Sequence, residues 1–309
     1  MPPVPPAEFV NLVQRLGLAA PEHLAQAARY AHRLSRNLPQ LEGVWIDALL
    51  QAGRITAFQA EELHAGRGEP LLVGEALLRE ELASEGFGSW FRAVRRGSGE
   101  SLRVWRSPPL ADARDATAWL AEAPEFPRPL EAQVRDDRLW LIYPAASGKL
   151  LGEVLWRNGR LAPREVLPLI AALAASLAKL HESGGVHGDI SVWSLWLTEE
   201  GKLESLLGNC RARLRPREGY ANADLPPAAY DTLAPERILD GLPASPAADW
   251  YALGCLAWQL LAGRPPHTGG DAVARLRAAH AGRLPPLEEL IFDLPPLLAE
   301  AGDEDLAHR

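Results

Sequence analysis

The apolar positions in the first part of the chain recur at three-to-four spacing. Between Glu22 and Leu34 they are Leu24, Ala27, Ala28, Ala31 and Leu34, and between Leu41 and Leu50 they are Val44, Trp45, Ala48 and Leu49. Such spacing lays one apolar stripe along a helix, so two or three short amphipathic helices are predicted over residues 1–70. Pro39 and Gly53 punctuate them, and Ala65 to Pro70 (AGRGEP) reads as a linker, because Gly and Pro supply turn geometry at low cost. From residue 71 the runs shorten to strand length: Glu75–Leu82, Ser89–Arg95, Leu102–Arg106 and Leu139–Tyr143, separated by Gly- or Asp-containing turns. RRGSGES and VRDDRL (Val134–Leu139) read as hairpin connections of an antiparallel sheet, with one short helix over Asp112–Glu122 stopped by Pro124. Beyond residue 145 the pattern is helical again. Pro163 suits a first helical turn, Val166, Ile170, Leu173, Leu177 and Leu180 form the buried stripe, and Gly184 ends the helix. Tyr251–Leu261 is apolar nearly all round and belongs at the centre of its lobe. The division expected is a helical segment over 1–70, a sheet-rich part over 71–145 and a helical part over 146–309, with no internal repeat at 20 to 50 residue periods.

Composition narrows the function classes. The chain has 309 residues, 47% apolar and 23% charged, enough to bury a core without disulfides or metals. Acidic residues outnumber basic ones by 40 to 32, a net charge of −8, so nothing drives it toward nucleic acid or anionic lipid as a whole. Cys210 and Cys255 stand 45 positions apart, outside any zinc-ligand spacing, which suits a reducing, cytoplasmic setting. The longest apolar stretches, Val166–Ala178 and Tyr251–Ala262, carry Ser176 or Gln259 and fall short of the ~20 residues of a bilayer span. The opening MPPVPPAEF has neither a basic nor an apolar signal region, so no secretory signal is expected. Only Lys149, Lys179 and Lys202 are lysines, and none precedes position 149.

The most specific stretch is His187–Leu197, HGDISVWSLWL, after a helix ending LAKLHESGGV. Ala234-Pro235-Glu236 follows, then ADWYALGCLAWQLLAGRPPH from Ala248 to His267. In order and spacing these resemble the catalytic loop H-R-D-x-x-x-x-N, the A-P-E motif and the central large-lobe helix of protein kinases. The resemblance covers roughly residues 75 to 309, and ITAFQAEELHAGRGEPLLVGEALL is similar to the segment preceding kinase domains of bacterial, particularly planctomycete, Ser/Thr kinases. It implies an α+β, two-lobed protein-kinase-like fold: a small antiparallel-sheet N-lobe over 71–145 and a mainly helical C-lobe over 146–309, behind the helical segment 1–70.

Phosphoryl transfer works by positioning and electrostatics: a glycine-rich cover, a lysine on the phosphates, metal ligands and an aspartate beside the acceptor hydroxyl. Aligned on that pattern, LASEGFGSWFRA has Ala83 and Glu85 at the first two glycine positions and keeps only Gly88. A carboxylate at Glu85 repels phosphate, and side chains at both positions hinder close backbone approach. Leu102-Arg103-Val104-Trp105 stands for V-A-I-K, with Trp105 at the lysine position; a one-residue shift brings in Arg106 or Val104, and no register supplies a lysine. The partner glutamate on the next helix is ambiguous between Asp115 and Glu122.

In the loop Asp189 keeps the base position and His187 the histidine position, while Gly188 replaces the arginine, Ser191 the lysine and Ser194 the metal-binding asparagine. Gly208-Asn209-Cys210 stands for D-F-G, so Ser194 and Gly208 are degenerate metal positions, and no metal is expected to bind. The activation segment, Arg211–Thr232, carries four arginines, and Ala229 holds the usual threonine acceptor position.

Loss of one preorganised charge stabiliser costs on the order of 10² to 10³ in rate, and a kinase turns over at roughly 1 to 100 per second, so two such losses approach the uncatalysed regime. Asp189 is then vestigial, held by loop hydrogen bonds. His187, Glu236 and Asp249 have structural roles, with Asp249 anchoring the loop and Glu236 pairing with a late arginine such as Arg309. Trp105 is large enough to fill the adenine pocket. The function expected is a pseudokinase acting as a scaffold or allosteric regulator in signalling, with no cofactor, a protein partner, no nucleic acid and no membrane span. Two alternatives stand beside it: an atypical Ser/Thr kinase using ATP, magnesium and Asp189 with Arg103 or Arg106 in place of the lysine, and a protein-binding module formed by residues 1–70.

Overall fold

The computed structural model describes residues 4–35, 41–86, 88–110, 127–145, 148–206, 227–239, 242–267 and 271–281. The chain divides into two compact units, one built from the N-terminal helices and a sheet, the other mainly helical.

In the first unit, helices α1 (Ala7–Leu16), α2 (Pro21–Ser35), α3 (Glu42–Gln51) and α4 (Ala57–His64) precede the sheet. The predicted stripes fall on α2 and α3, where Leu24, Ala27 and Ala31, then Trp45, Ala48 and Leu49, are buried. Thr56 begins α4 with a capping box: its Oγ1 accepts from the Gln59 N–H at 3.2 Å while Gln59 Oε1 accepts from the Thr56 N–H at 3.0 Å.

Strands β1 (Leu72–Val73), β2 (Ala76–Gly86), β3 (Gly88–Arg95), β4 (Ser101–Arg106), β5 (Glu131–Arg135) and β6 (Arg138–Pro144) form a six-stranded sheet in the order β1-β2-β3-β4-β6-β5. β1 and β2 pair antiparallel, as do β3 and β4, and β6 pairs antiparallel with both β4 and β5. Both expected hairpins are present. In the β5–β6 turn Asp136 and Asp137 sit at φ 52° and 55°, the two left-handed residues of a type I′ connection. The sheet curls until its outer strands meet: Arg135 Nη1 donates to Leu72 O at 3.1 Å, and the Glu131 carboxylate lies against Gly74. The short helix expected over Asp112–Glu122 lies outside the described residues.

The sheet has two buried faces, and this departs from the expected division at residue 70. Phe91, Ala93, Leu102, Val104, Trp140 and Ile142 point to one face and share a single core with Phe9, Leu16, Trp45, Leu49 and Leu63 of the helices. Gln59, itself buried, donates through Nε2 to Leu78 O at 2.6 Å, and Thr56 Oγ1 donates to Arg79 O at 2.5 Å, so α4 is hydrogen-bonded to the backbone of β2. AGRGEP is a turn inside one compact unit. The sequence pattern conceals this because the stripes of α2 and α3 say that a face is buried without saying against what.

In the second unit, β7 (Lys149–Leu150), β8 (Leu195–Leu197) and β9 (Leu203–Ser205) form a small antiparallel sheet. Around it are α5 (Leu151–Asn158), α6 (Pro163–Glu182), α7 (Pro235–Leu239), α8 (Pro246–Ala262) and α9 (Ala272–His280). Val166, Leu173 and Leu177 of α6 share a core with Leu253, Leu256 and Leu260 of α8 and with Ile190 and Val192 of the intervening loop. α8 is buried along most of its length, as its all-round apolar character requires.

Candidate active site

Alternation along β4 decides which side chains share a face. Arg103 and Trp105 lie on one side; Leu102, Val104 and Arg106 lie on the other, toward the helices. Trp105 pairs in register with Trp90 on β3 and Leu141 on β6, and Arg103 with Arg92 and Tyr143. Trp105 is fully buried, and the Trp90 and Tyr143 rings stand 6.2 Å apart beside it. An indole carries no charge, so Trp105 supplies no cation at the strand position that the resemblance gives to lysine.

Arg106 is committed to other partners. Its guanidinium stacks over the rings of Phe91 and Trp140 at 5.0 and 5.5 Å, donates to Ser89 Oγ at 3.1 Å and lies 3.5 Å from Glu81. Those partners belong to the helix-facing side. Burial pushes its pKa down, partly offset by Glu81. Arg103 is the arginine that shares the face of Trp105. Ala83 is half-buried on β2 and Gly88 opens β3 at φ 92°; the Glu85 side chain lies outside the described residues.

The loop after α6 is organised by Asp249 on α8. Its carboxylate accepts from the His187 and Gly188 backbone N–H groups, both at 2.8 Å, and from His181 Nε2 at 2.9 Å. Gly188 sits at φ 72°, where its missing Cβ removes strain. The Asp189 N–H donates to His187 Nδ1 at 3.2 Å, which puts the imidazole proton on Nε2, 2.7 Å from Ser205 Oγ. Burial depresses the His187 pKa, opposed by the charges of Asp249 and Asp189. Arg237 Nη1, also buried, donates to Gly188 O at 3.1 Å.

Ser194 is occupied by its own loop. Its Oγ donates to the Asp189 carbonyl and accepts from the Ser191 N–H at 3.1 Å and the Ser191 hydroxyl at 3.3 Å. A hydroxyl has one proton and two lone pairs, so this set uses all three, and the side chain is buried. Nothing remains to coordinate a cation. Ser194, so committed, does not fit magnesium; Gly208, the other position that the resemblance gives to a metal ligand, lies outside the described residues. Among the described residues no cluster of three or more His, Cys, Asp or Glu could hold a metal ion.

The structure thus gathers Asp189, His187, Ser194 and Asp249 into one buried loop assembly; Trp105 lies on β4, Ala83 on β2 and Gly88 at the start of β3. Glu236 lies half-buried at the start of α7, and its suggested partner Arg309 falls outside the described residues. The ion pair seen nearby joins Asp231 to Arg275 on α9. Sequence reasoning missed His181, Ser205 and Arg237. His181 is the penultimate residue of α6 with no motif around it, and Ser205 reaches the loop only through the β8–β9 pairing. Also missed was Gly152 on α5, where any Cβ would meet the Trp193 ring at 2.4 Å.

No protein-family profile matches the chain. Among curated proteins it is 27% identical over 253 residues to the serine/threonine-protein kinase PknL of Mycobacterium tuberculosis (strain CDC 1551 / Oshkosh), covering 77% of this chain and 63% of that protein. It is 28% identical over 245 residues to PknA of Mycobacterium tuberculosis (strain ATCC 25177 / H37Ra), 74% of this chain and 56% of that protein. PkaA of Streptomyces coelicolor, also a serine/threonine-protein kinase, is 29% identical over 220 residues, 67% of this chain and 39% of that protein. The chain is similar to bacterial serine/threonine protein kinases. Its fold is the two-lobed α+β protein-kinase-like fold, with an antiparallel-sheet lobe and a helical lobe. This chain spans less than two thirds of the length of the PknL and PknA relatives. Among its described residues no helix is long and apolar enough to cross a membrane.

Proposed function

We propose that this protein-kinase-like domain is a pseudokinase, a scaffold or allosteric partner in signalling that keeps the architecture without efficient phosphoryl transfer. The observation that carries it is the fully buried Trp105 on the face of β4, with Arg106 committed to the opposite face. Ser194, its hydroxyl saturated by Ser191 and Asp189, supports the same reading from the loop. Asp189 then serves the loop through its backbone N–H and carbonyl. A cytoplasmic setting suits Cys255, whose buried thiol is pushed up to about 12 and is inert to exchange. The partner we propose is a protein; the net charge of −8 disfavours nucleic acid.

One observation favours an atypical kinase: Arg103 shares the face of Trp105 and is buried there. Calorimetric titration with ATP and magnesium, paired with a radiolabel transfer assay, separates the two. The pseudokinase gives no magnesium-dependent transfer. Turnover that needs magnesium and disappears in Asp189→Asn would overturn it, and its further loss in Arg103→Ala would identify Arg103 as the cation.

The reading of residues 1–70 as a separate binding module is weakened by their apolar faces being spent on the sheet. A partner would have to use other surfaces.

A further inference from the structure

Helix α5 turns Leu151, Gly152 and Leu155 inward and leaves Trp156 85% exposed, the most exposed large apolar side chain among the described residues. A solvated indole is costly, since burying one removes on the order of 150–250 Å² from water. Arginines predominate among the charged residues that follow it in the chain. Arg157, Arg160 and Arg164 are all exposed within eight positions of Trp156, and Gly263, which precedes Arg264, abuts Gly159 and Arg160. Arg264 stacks on the Trp258 ring at 5.1 Å, which fixes its plane and leaves the donor edge available.

None of these four arginines makes an ion pair with a carboxylate among the described residues. Elsewhere the protein pairs its arginines closely, as in Arg92–Glu80, Arg95–Glu100 and Arg96–Glu75. The two glutamates nearest in sequence cap helices: Glu153 accepts from the Leu150 N–H at 3.3 Å and Glu165 from the Ala162 N–H at 2.9 Å.

We propose that this tryptophan–arginine face docks an acidic peptide segment of a partner protein, its apolar side chain on Trp156 and its carboxylates on Arg157, Arg160, Arg164 and Arg264. Charge complementarity selects the occupant. The chain as a whole carries −8, so an acidic segment is repelled by most of the surface and attracted only where positive charge concentrates. A second copy of this chain, equally acidic overall, is the poorer match. Trp and Arg are also the residue types that dominate interface energetics, and Arg forks bind carboxylates bidentately. The inference goes beyond the pseudokinase reading by naming a surface and a partner chemistry, and it stands whether or not ATP is turned over.

Fluorescence polarisation of the full chain tests it, with a labelled peptide of glutamates and leucines around one tryptophan and its lysine-for-glutamate counterpart as probes. The glutamate peptide is expected to bind and to weaken with salt. It should lose about tenfold in affinity in Trp156→Ala and in the double variant Arg157→Glu, Arg160→Glu, while the lysine peptide does not bind. All three side chains are exposed, and an unchanged melting temperature verifies that the variants fold. Absence of binding by the glutamate peptide overturns the proposal, and so does equal binding by the variants. Trp156-dependent binding to phosphatidylserine vesicles in preference to the peptide, or Trp156-dependent self-association in sedimentation velocity, also overturns it and reassigns the face to a membrane or to a second copy.

Discussion

The Asp249 carboxylate receives N–H groups from His187, Gly188 and His181, and a side chain serving three donors cannot be shortened without leaving each unpaired in a dry interior. Asp249→Ala is expected to lower stability by about 3 kcal/mol or more, measured by urea unfolding against the parent chain. His187 makes a second, pH-linked prediction. Its folded pKa lies below the usual 6.5, so between the two values the unfolded chain binds the proton and the folded chain does not. Stability is therefore intact above about 6.5 and falls as pH drops below it, with a slope of at most about 1.4 kcal/mol per pH unit for this one group. His267, also depressed by burial, adds to the same slope. Unfolding curves between neutral and mildly acidic pH check the sign, and His187→Gln should flatten the profile. At this scale the residue types were readable from sequence: a tryptophan on β4, a serine late in the loop and the aspartate on the central helix. Their connections were not. That Ser194 has no lone pair left depends on how the loop turns, and no residue type encodes it.

Among the elements, α4 and β2 show how a cap can serve two purposes. The Gln59 amide closes the capping box at Thr56 and also holds the Leu78 carbonyl. Gln59→Ala is expected to cost about 2 kcal/mol, since it orphans one donor and one buried acceptor together. A Gln59→Glu variant should lose a similar amount, because a carboxylate restores the acceptor for Thr56 but cannot donate to Leu78; thermal melts of both variants test this. Periodicity located α2, α3, α6 and α8 within a few residues, and the two hairpins were legible from their Gly and Asp turns. The contact between α4 and β2 was not, because a buried glutamine inside a helix looks like any solvated one until its partner is seen. β5 was also harder to read. It is an outer strand with polar residues on both sides, so it lacks the apolar run that marked β4 and β6.

For the whole molecule, the kinase resemblance supplied the two-lobed fold and the order of its parts, while the role of the first four helices escaped it. A linker-like AGRGEP suggested a separable module, but hydrophobic closure across that stretch joins α1–α4 to the sheet in one core. Composition cannot reveal such sharing, because the same residues would bury equally well against one another. The joining has a consequence for motion. When the core opens, strands and leading helices must let go of each other together, since neither can keep Phe91, Val104 and Trp140 dry alone. Backbone amides of α3, α4, β3 and β4 are therefore expected to exchange with heavy water at a common free energy, as one cooperative block. Amides of α1–α4 exchanging well before those of β3 and β4 would mean that the two fluctuate independently.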